Sequence, residues 1–561
     1  MSELRRLLTG IGVSPGTAVG PLVIVSPPPL APADEAPTTD PEAAAVKVRE
    51  TLAAVAAGLT AKAAVADAHA KPILEAGAMM ASDPGLAIAI DGKLQAGKGI
   101  TNAVTAAVEE YCAMFESLGG YMAERVTDLK DVRDRTVARL LGQPEPGVPE
   151  LSEPSILAAH DLAPAETATL NVETCLGIIT AAGGPTSHTA ILAAQLGIPA
   201  VVQAAGILEV PLGTIVAFDG GVGEIIVDPT DDDKVQLAER KARRAKALAG
   251  GTGKGATKDG HPVALLVNIG TADDARKAAV KDVEGVGLFR SEFLFLDRET
   301  APTVAEQTAT YIEVFEAFGD RRVVIRTLDA GADKPLAFAD LGHEDNPALG
   351  RRGIRLGAIR TDLLDDQLEA LAAAYKATGA DVRVMAPMIA TRQEARWFAE
   401  KVRAVGLPKV GVMIEVPAAA LRAFDVLSEV DFASLGTNDL GQYTMAADRM
   451  QGELATLLDP WQPALLDIIA YACDGGARTG HPVGVCGEAG GDPALALVLV
   501  GMGVSSLSMA PGKVPAVRTA LSLHDLVRCQ QMAAAARAAQ GPVEAKRIVL
   551  EMADKILLDL L

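Results

Sequence analysis

Eight short apolar runs, each followed by a stretch of helical periodicity, occupy the chain beyond residue 260: VALLVNIG, GVGLFR, RVVIRTLD, DVRVMAPMI, VGVMIEV, FASLGTNDL, PVGVCGE and SSLSMAP. Strand and helix patterns that alternate in this way build parallel sheets with crossover helices. Eight units in about 300 residues is the number that closes a (β/α)8 barrel of the TIM type. An open doubly wound sheet is the competing arrangement, but no GxGxxG turn follows the first run. The barrel also locates chemistry, because active sites of this fold gather at the C-terminal ends of the strands. The last polar residues of the runs are Arg290, Arg326, Glu415, Asn438 with Asp439, and Cys486. Converging on one mouth, they form a cage suited to a phosphorylated carboxylic acid with its metal ion.

The first 260 residues follow another plan. Residues 10–25 read as two short strands around Gly/Pro turns, and a Pro/Ala/Asp-rich stretch fills 26–41. From 42 to 142 the pattern is Ala-rich and helical, with breaks expected at Gly77, at Asp83-Pro84-Gly85 and at Gly97–Gly99. After the proline-bearing GQPEPGVPELSEPS, the runs SILAAHD, GIITAAGG, PAVVQA, TIVAFDG and EIIVDP read as strands. The expected organisation is a discontinuous α/β domain over 1–25 and 143–230, interrupted by an all-α insertion at 26–142. A linker helix and Gly-rich joint at 231–259 then lead to the barrel at 260–561. The stretches 142–154 and 250–260 are candidate hinges.

Within the α/β domain, GGPTSHTAILAAQLGIPAVV at 183–202 sets His188 between a glycine turn and a helix start. Backbone N–H groups at such places hold phosphate oxygens, and a neutral imidazole is a competent nucleophile near its ordinary pKa. A buried histidine beside an N-cap Thr186 or Ser187 is the plainer reading. A formal charge of −21 over 561 residues argues against non-specific binding of nucleic acid and makes a small basic protein the more natural partner. The five cysteines lie far apart without metal-ligand spacing, as in a reducing compartment. No run approaches about 18 uninterrupted apolar residues and no signal-like region opens the sequence, so a cytoplasmic protein without membrane insertion is expected.

Several of these segments are long and specific. VSPG near the start, DLAPAET (161–167), GGPTSH (183–188), GVGLFRSEFLF (285–295), RTLDAGADK (326–334), EDNPALGRR (344–352), MIEVPAAA (413–420), LGTNDLGQYTMAADR (435–449) and GVCGEAGGD (484–492) occur in that order. In them the chain resembles enzyme I of the phosphoenolpyruvate-dependent sugar phosphotransferase system over essentially its whole length. The resemblance implies Mg2+-dependent transfer of a phosphoryl group from phosphoenolpyruvate to His188 and onward to the phosphocarrier protein HPr, leaving pyruvate. It assigns Arg290, Arg326 and Arg352 to the phosphate and carboxylate, with Arg449 assisting and Asn438 on the phosphate. Glu415 and Asp439 would ligate Mg2+, Cys486 would protonate the enolate carbon, and Thr167 would orient the His188 ring. The helical insertion would dock HPr, nominating Glu75, Met79, Met80 and Asp83 within PILEAGAMMASDPGLAIAI; a core role for the Met pair is the competing reading. A homodimer through the barrel is also implied.

The chain departs from the family pattern at Pro185 and at Ala194 with Gln195, where arginines often flank the histidine, and at Arg351, which replaces an aromatic residue. With His188 on one domain and the cage on another, the small domain is expected to swivel. Two other readings compete. A pyruvate phosphate dikinase or phosphoenolpyruvate synthase relative needs a nucleotide domain, and this chain has no Walker A pattern. A silent regulatory protein would bind phosphoenolpyruvate only as a signal.

Overall fold

A computed structural model of the protein describes residues 6–561 apart from 26–28, 66–69, 119–124, 150, 152, 163–169, 172, 185–186, 250, 297, 331–335, 340 and 450. The chain divides into two compact units, Met1–Lys241 and Ala242–Leu561. No helix among the described residues is long and apolar enough to cross a membrane.

The first unit contains an eight-stranded sheet built from β1 (Arg6–Thr9), β2 (Ile11–Ser14), β3 (Thr17–Ile24), β4 (Ser155–Ala159), β5 (Cys175–Thr180), β6 (Ala200–Val202), β7 (Ile215–Asp219) and β8 (Glu224–Val227). Its order is β1-β8-β7-β3-β4-β5-β6-β2. The central β4 is buried at every position, as expected of an uninterrupted apolar run covered on both faces. β3 to β6 run parallel, whereas β7 and β8 add antiparallel strands on one side and β2 on the other. Strand β1 lies outside the two strands expected over residues 10–25. Its Arg-rich start hides a ladder with β8 that pairs Arg6 with Val227 and Thr9 with Glu224. β1 and β2 are separated only by Gly10, yet they stand at opposite ends of the sheet. Gly10 donates its N–H to Gly223 O at 2.9 Å, and a Cβ on it would lie 2.5 Å from Val202 O, so both edges come to this residue.

Between β3 and β4 the chain forms helices Pro41–Val65, Ala70–Ala81, Pro84–Gln95, Ile100–Leu118 and Val126–Leu141. They enclose a core of their own around Val48, Leu52, Ile90, Val104 and Val132, distinct from the sheet's core of Leu22, Ile156, Ile179, Val216 and Phe218. Gly77 does not break the helical run. It sits inside Ala70–Ala81, where its missing side chain leaves room for Leu59 Cδ1, 3.3 Å from the place of a Cβ. The break expected at Asp83 is present, and its carboxylate caps the next helix by accepting from Leu86 N at 3.0 Å. Helix Ile100–Leu118 is capped from far away in sequence, since the Glu35 carboxylate accepts from Thr101 N at 3.0 Å and Asn102 N at 2.9 Å.

Helix Asp231–Ala249 leads on to the second unit. There β9 (Ala264–Ile269), β10 (Gly285–Arg290), β11 (Arg322–Arg326), β12 (Val382–Ala386), β13 (Val410–Ile414), β14 (Phe432–Leu435), β15 (Val483–Val485) and β16 (Ser506–Met509) close a parallel barrel, β16 pairing back to β9. Every one of the eight apolar runs is one of these strands. A large core fills the space between strands and helices, and helix Pro493–Gly501 is buried from Pro493 to Val500.

The Gly-rich stretch is hydrogen-bonded to the rest of the barrel unit where it is described. Gly253 N donates to Asp282 at 2.7 Å, Gly255 N to Glu284 at 2.9 Å and Lys258 N to His524 O at 2.8 Å, while Arg518 Nη1 donates to Gly251 O at 2.9 Å. The Gly-rich segment is thus laced to the barrel unit, its small residues serving close backbone approach. In the earlier stretch Glu145 pairs with Arg135 at 3.2 Å and with Arg139.

Gly177 tests the packing of the first sheet. A Cβ there would lie 2.6 Å from Phe218 Cε1 and 3.2 Å from Pro199 O. Gly177→Ala is expected to lose about 1–3 kcal/mol of stability through overpacking, read as a lower urea midpoint with an unchanged slope.

Candidate active site

In the first unit, His188 is the opening residue of helix His188–Leu196. Ser187 is the N-cap, with φ −63° and ψ 157°, and its Oγ accepts from Ala190 N at 3.3 Å. Gly183, at φ +87°, makes the turn before it, and Gln203 Nε2 donates to its carbonyl at 2.9 Å. Thr189 is buried and donates to Asp161 Oδ1 at 3.1 Å, which ties the helix start to the DLAPAET segment. Thr167, Pro185 and the side chains of His188 and Gln195 lie outside the described residues.

The second unit gathers the other expected residues. Arg290 and Arg326 are the last residues of β10 and β11, while Glu415 and Cys486 lie one residue beyond β13 and β15. Asn438 and Asp439 occupy the first turn of helix Thr437–Met445, which follows β14. Parallel strands in a closed barrel bring all of these to one end. Arg352 comes from the connection after β11 and Arg449 from the segment after helix Thr437–Met445.

The centre of the mouth is a nearly desolvated charge network. Arg326 Nη2 donates to Glu292 Oε1 at 2.5 Å, and its Nη1 lies 3.0 Å from Asp329 Oδ2. Arg352 Nη2 donates to that same Asp329 oxygen at 3.1 Å, and its Nη1 donates to Asp439 Oδ1 at 3.0 Å. Arg449 stands 4.0 Å from the other Asp439 oxygen. Glu415 is 1% exposed and accepts from Met388 N at 2.6 Å through Oε1. Burial first, then the nearby Asp439 and Asp329 charges, push its carboxyl up to about 8 against the pull of Arg326 and Arg352. Burial works against the charge of both arginines, but the surrounding carboxylates prevail and hold them protonated. Arg326 Nε and Arg352 Nε are buried without a hydrogen-bond partner among the described residues. Asn438 is exposed at the rim.

Cys486 lies just beneath, 2% exposed, with its thiol 3.6 Å from Leu435 O. Burial is the main reason its pKa is pushed up to about 11, so the sulfur carries its proton at neutral pH. Below it the barrel interior is apolar, formed by Leu288, Val324, Met385, Met413 and Phe432.

The partner-facing nominations separate on the helical part of the first unit. Met79 is 75% exposed and Glu75 and Asp83 are exposed, whereas Met80 packs partly against the helical core.

Three family models match in chain order: "PEP-utilising enzyme, N-terminal" over residues 9–125, "PEP-utilising enzyme, mobile domain" over 151–223 and "PEP-utilising enzyme, PEP-binding domain" over 245–526. The phosphoenolpyruvate-protein phosphotransferase of Streptomyces coelicolor is 50% identical over 550 residues, covering 97% of this chain and 98% of its own. Its namesake from Haloferax volcanii is 40% identical over 84% of each chain, and that from Geobacillus stearothermophilus is 38% identical over 92% and 93%. The chain belongs to the phosphoenolpyruvate-protein phosphotransferase family. Enzymes of this family generally depend on Mg2+.

The donor set suits such an ion. Mg2+ takes one or two carboxylates and leaves its remaining positions to water and substrate oxygens. Glu415 and Asp439 supply two, and a divalent cation would offset both the burial and the Asp439 charge that raise Glu415. Among the described residues no group of three or more His, Cys, Asp or Glu forms a cage by itself.

Four parts of this barrel mouth escape a reading of the sequence. Asp329 and Glu292, which brace the arginines, lay within the quoted motifs RTLDAGADK and GVGLFRSEFLF without being singled out. Met388 holds Glu415 from a left-handed backbone, φ +60°, which no residue-type rule anticipates for methionine. Gly436 is required by contact, since a Cβ there would lie 2.6 Å from Glu415 Oε2.

The state of the thiol is directly measurable. Alkylation of Cys486 by iodoacetamide, followed by peptide mass spectrometry, is expected to be slow at pH 7 and to rise about tenfold per pH unit up to pH 9, as for a group whose pKa is still far above. A rate that levels off below pH 8 would contradict the burial argument.

Proposed function

We propose that this chain moves the phosphoryl group of phosphoenolpyruvate to His188 and then to the histidine of HPr, releasing pyruvate, as the first step of sugar phosphotransfer. The observation that carries the reading is the buried Arg326–Asp329–Arg352–Asp439 network beside Glu415, set directly over a protonated thiol. Arginine forks match phosphate and carboxylate oxygens, and Arg290, Arg326 and Arg352 supply three of them. Asn438 adds an amide at the rim and Arg449 a fourth guanidinium.

A neutral imidazole nitrogen of His188 attacks phosphorus, the bond from phosphorus to the enol oxygen breaks, and its electron pair leaves with the enolate. Cys486 then gives its proton to the enolate carbon, which forms pyruvate, and the thiolate regains a proton from solvent. A thiol held protonated by burial is suited to that donation, because proton transfer needs the acid in its protonated form at working pH. Mg2+, held by Glu415 and Asp439, would neutralise charge on the substrate oxygens. Thr167 would fix the tautomer of the His188 ring, and the N–H groups of the helix start would share the charge of the phosphohistidine in place of the arginines absent at 185 and 194–195.

HPr would meet the helical part of the first unit, where Met79 offers an adaptable apolar contact and Glu75 and Asp83 attract a basic surface. A cytoplasmic homodimer through the barrel completes the reading. His188 belongs to one unit and the arginine cage to the other, so the imidazole must visit the mouth to be charged and leave it to be discharged. Small-angle scattering is expected to differ with and without phosphoenolpyruvate and Mg2+; superimposable curves would count against the movement.

The decisive experiment uses labelled phosphoenolpyruvate with Mg2+. An acid-labile label on His188, absent from His188→Ala and transferable to HPr, is expected. Label on another residue, or label retained by His188→Ala, would overturn the assignment.

A further inference from the structure

The opposite end of the barrel carries charge as well. A cavity at the N-terminal ends of the strands has a largely apolar wall, including Leu266, Val324 and Phe432, into which Arg322, Arg383, Ser434, Ser506 and Ser508 bring polar groups. Arg322 opens β11 and Ser506 opens β16, which places both on the floor, away from the mouth at which Arg326 and Cys486 stand. Two lining glycines are fixed by contact: a Cβ on Gly484 would overlap Ser506 Oγ, and one on Gly287 would lie 2.5 Å from Ser508 Oγ. Backbone and hydroxyl groups are therefore packed closely around this space.

Inward positions of such barrels are ordinarily filled by branched aliphatic side chains. Here two guanidiniums face inward, and they are not equally supplied with partners. Arg383 is clamped by Asp381, with Nη2 to Oδ2 at 2.7 Å and Nε to Oδ1 at 3.1 Å. Arg322 makes no side-chain hydrogen bond or ion pair among the described residues. The nearby Glu284 already accepts from Gly255 N and Leu265 N, both at 2.9 Å. Ser508 Oγ donates to Asn268 Oδ1 at 2.6 Å, whereas the Ser506 hydroxyl has no protein partner among the described residues. Burial, with the neighbouring Arg383 charge adding to it, holds Arg322 below the usual guanidinium value against the pull of Glu284 and Asp381, neither of which it hydrogen-bonds.

We propose that this floor cavity is a binding site for a small oxyanion bearing phosphoryl oxygens, gripped by Arg322 and the Ser506 hydroxyl with Arg383 alongside. A guanidinium fork fits two phosphoryl oxygens and a hydroxyl donor fits a third. The site is separate from the arginine cage at the mouth and does not depend on the function proposed above. Inorganic phosphate and a small phosphate ester share this chemistry.

The test is equilibrium dialysis of the full chain against labelled inorganic phosphate, in an Arg290→Gln background that weakens binding at the mouth. Saturable binding of one phosphate per chain is expected. Adding Arg322→Gln should weaken it at least tenfold, and Ser506→Ala, a deletion of one hydroxyl that leaves both arginines in place, should weaken it several-fold. Displacement by glycerol phosphate would assign the natural source to an ester, and failure of displacement would assign it to inorganic phosphate; either supports the site. The proposal is overturned if the Arg290→Gln chain binds no phosphate, or if neither further substitution changes the affinity.

Discussion

One carboxylate oxygen, Oδ2 of Asp329, serves two buried arginines, and the chemistry of the barrel mouth depends on that sharing. Removing two guanidiniums and four carboxylates from water is costly, and the mutual attraction of such groups repays it only when the geometry is tight. The surrounding backbone is shaped to keep it tight. Met388 adopts a left-handed conformation that costs about 1 kcal/mol or more for an ordinary residue, and it thereby aims its N–H at Glu415. Gly353 has room for no side chain, because a Cβ there would lie 2.9 Å from Met388 Cγ and 3.2 Å from Asp329 Oδ1. Strain in the chain and charge in the site support each other.

The same desolvation fixes the state of Cys486. Its neighbours below are apolar and burial is the main cause of its raised pKa, so the sulfur stays protonated while the arginines stay charged. Donor and acceptor roles are thereby separated within one mouth by depth: cations and carboxylates near the rim, a neutral acid under them. An identical set of side chains on a solvated surface would not hold these states apart.

Much of this was legible in the residues. Unbroken apolar runs are the signature of strands buried on both faces, and all eight barrel strands followed from it; because parallel strands end together, Arg290, Arg326, Glu415 and Cys486 followed as well. The rest was hidden for identifiable reasons. Strand β1 begins with charged residues and is made a strand by its partner β8. Gly77 reads as a breaker, but burial against Leu59 outweighs the modest helical penalty of glycine. The glycines of 251–260 suggested freedom, whereas they serve hydrogen bonds to Asp282 and Glu284 that no local pattern encodes. Asp329 and Met388 act through contacts between connections far apart in sequence, and spacing rules do not reach that far.

The placement of β1 and β2 at opposite edges of the first sheet bears on the order of events during synthesis. Both strands leave the ribosome early, but their ladder partners β6 and β8 follow only after the helices and most of the sheet have been made. The helices, with a core of their own, have no such wait. Folding on the ribosome would therefore run from the inserted helices outward, with β2 unpaired until Val202 has emerged and β1 unpaired until Val227 has.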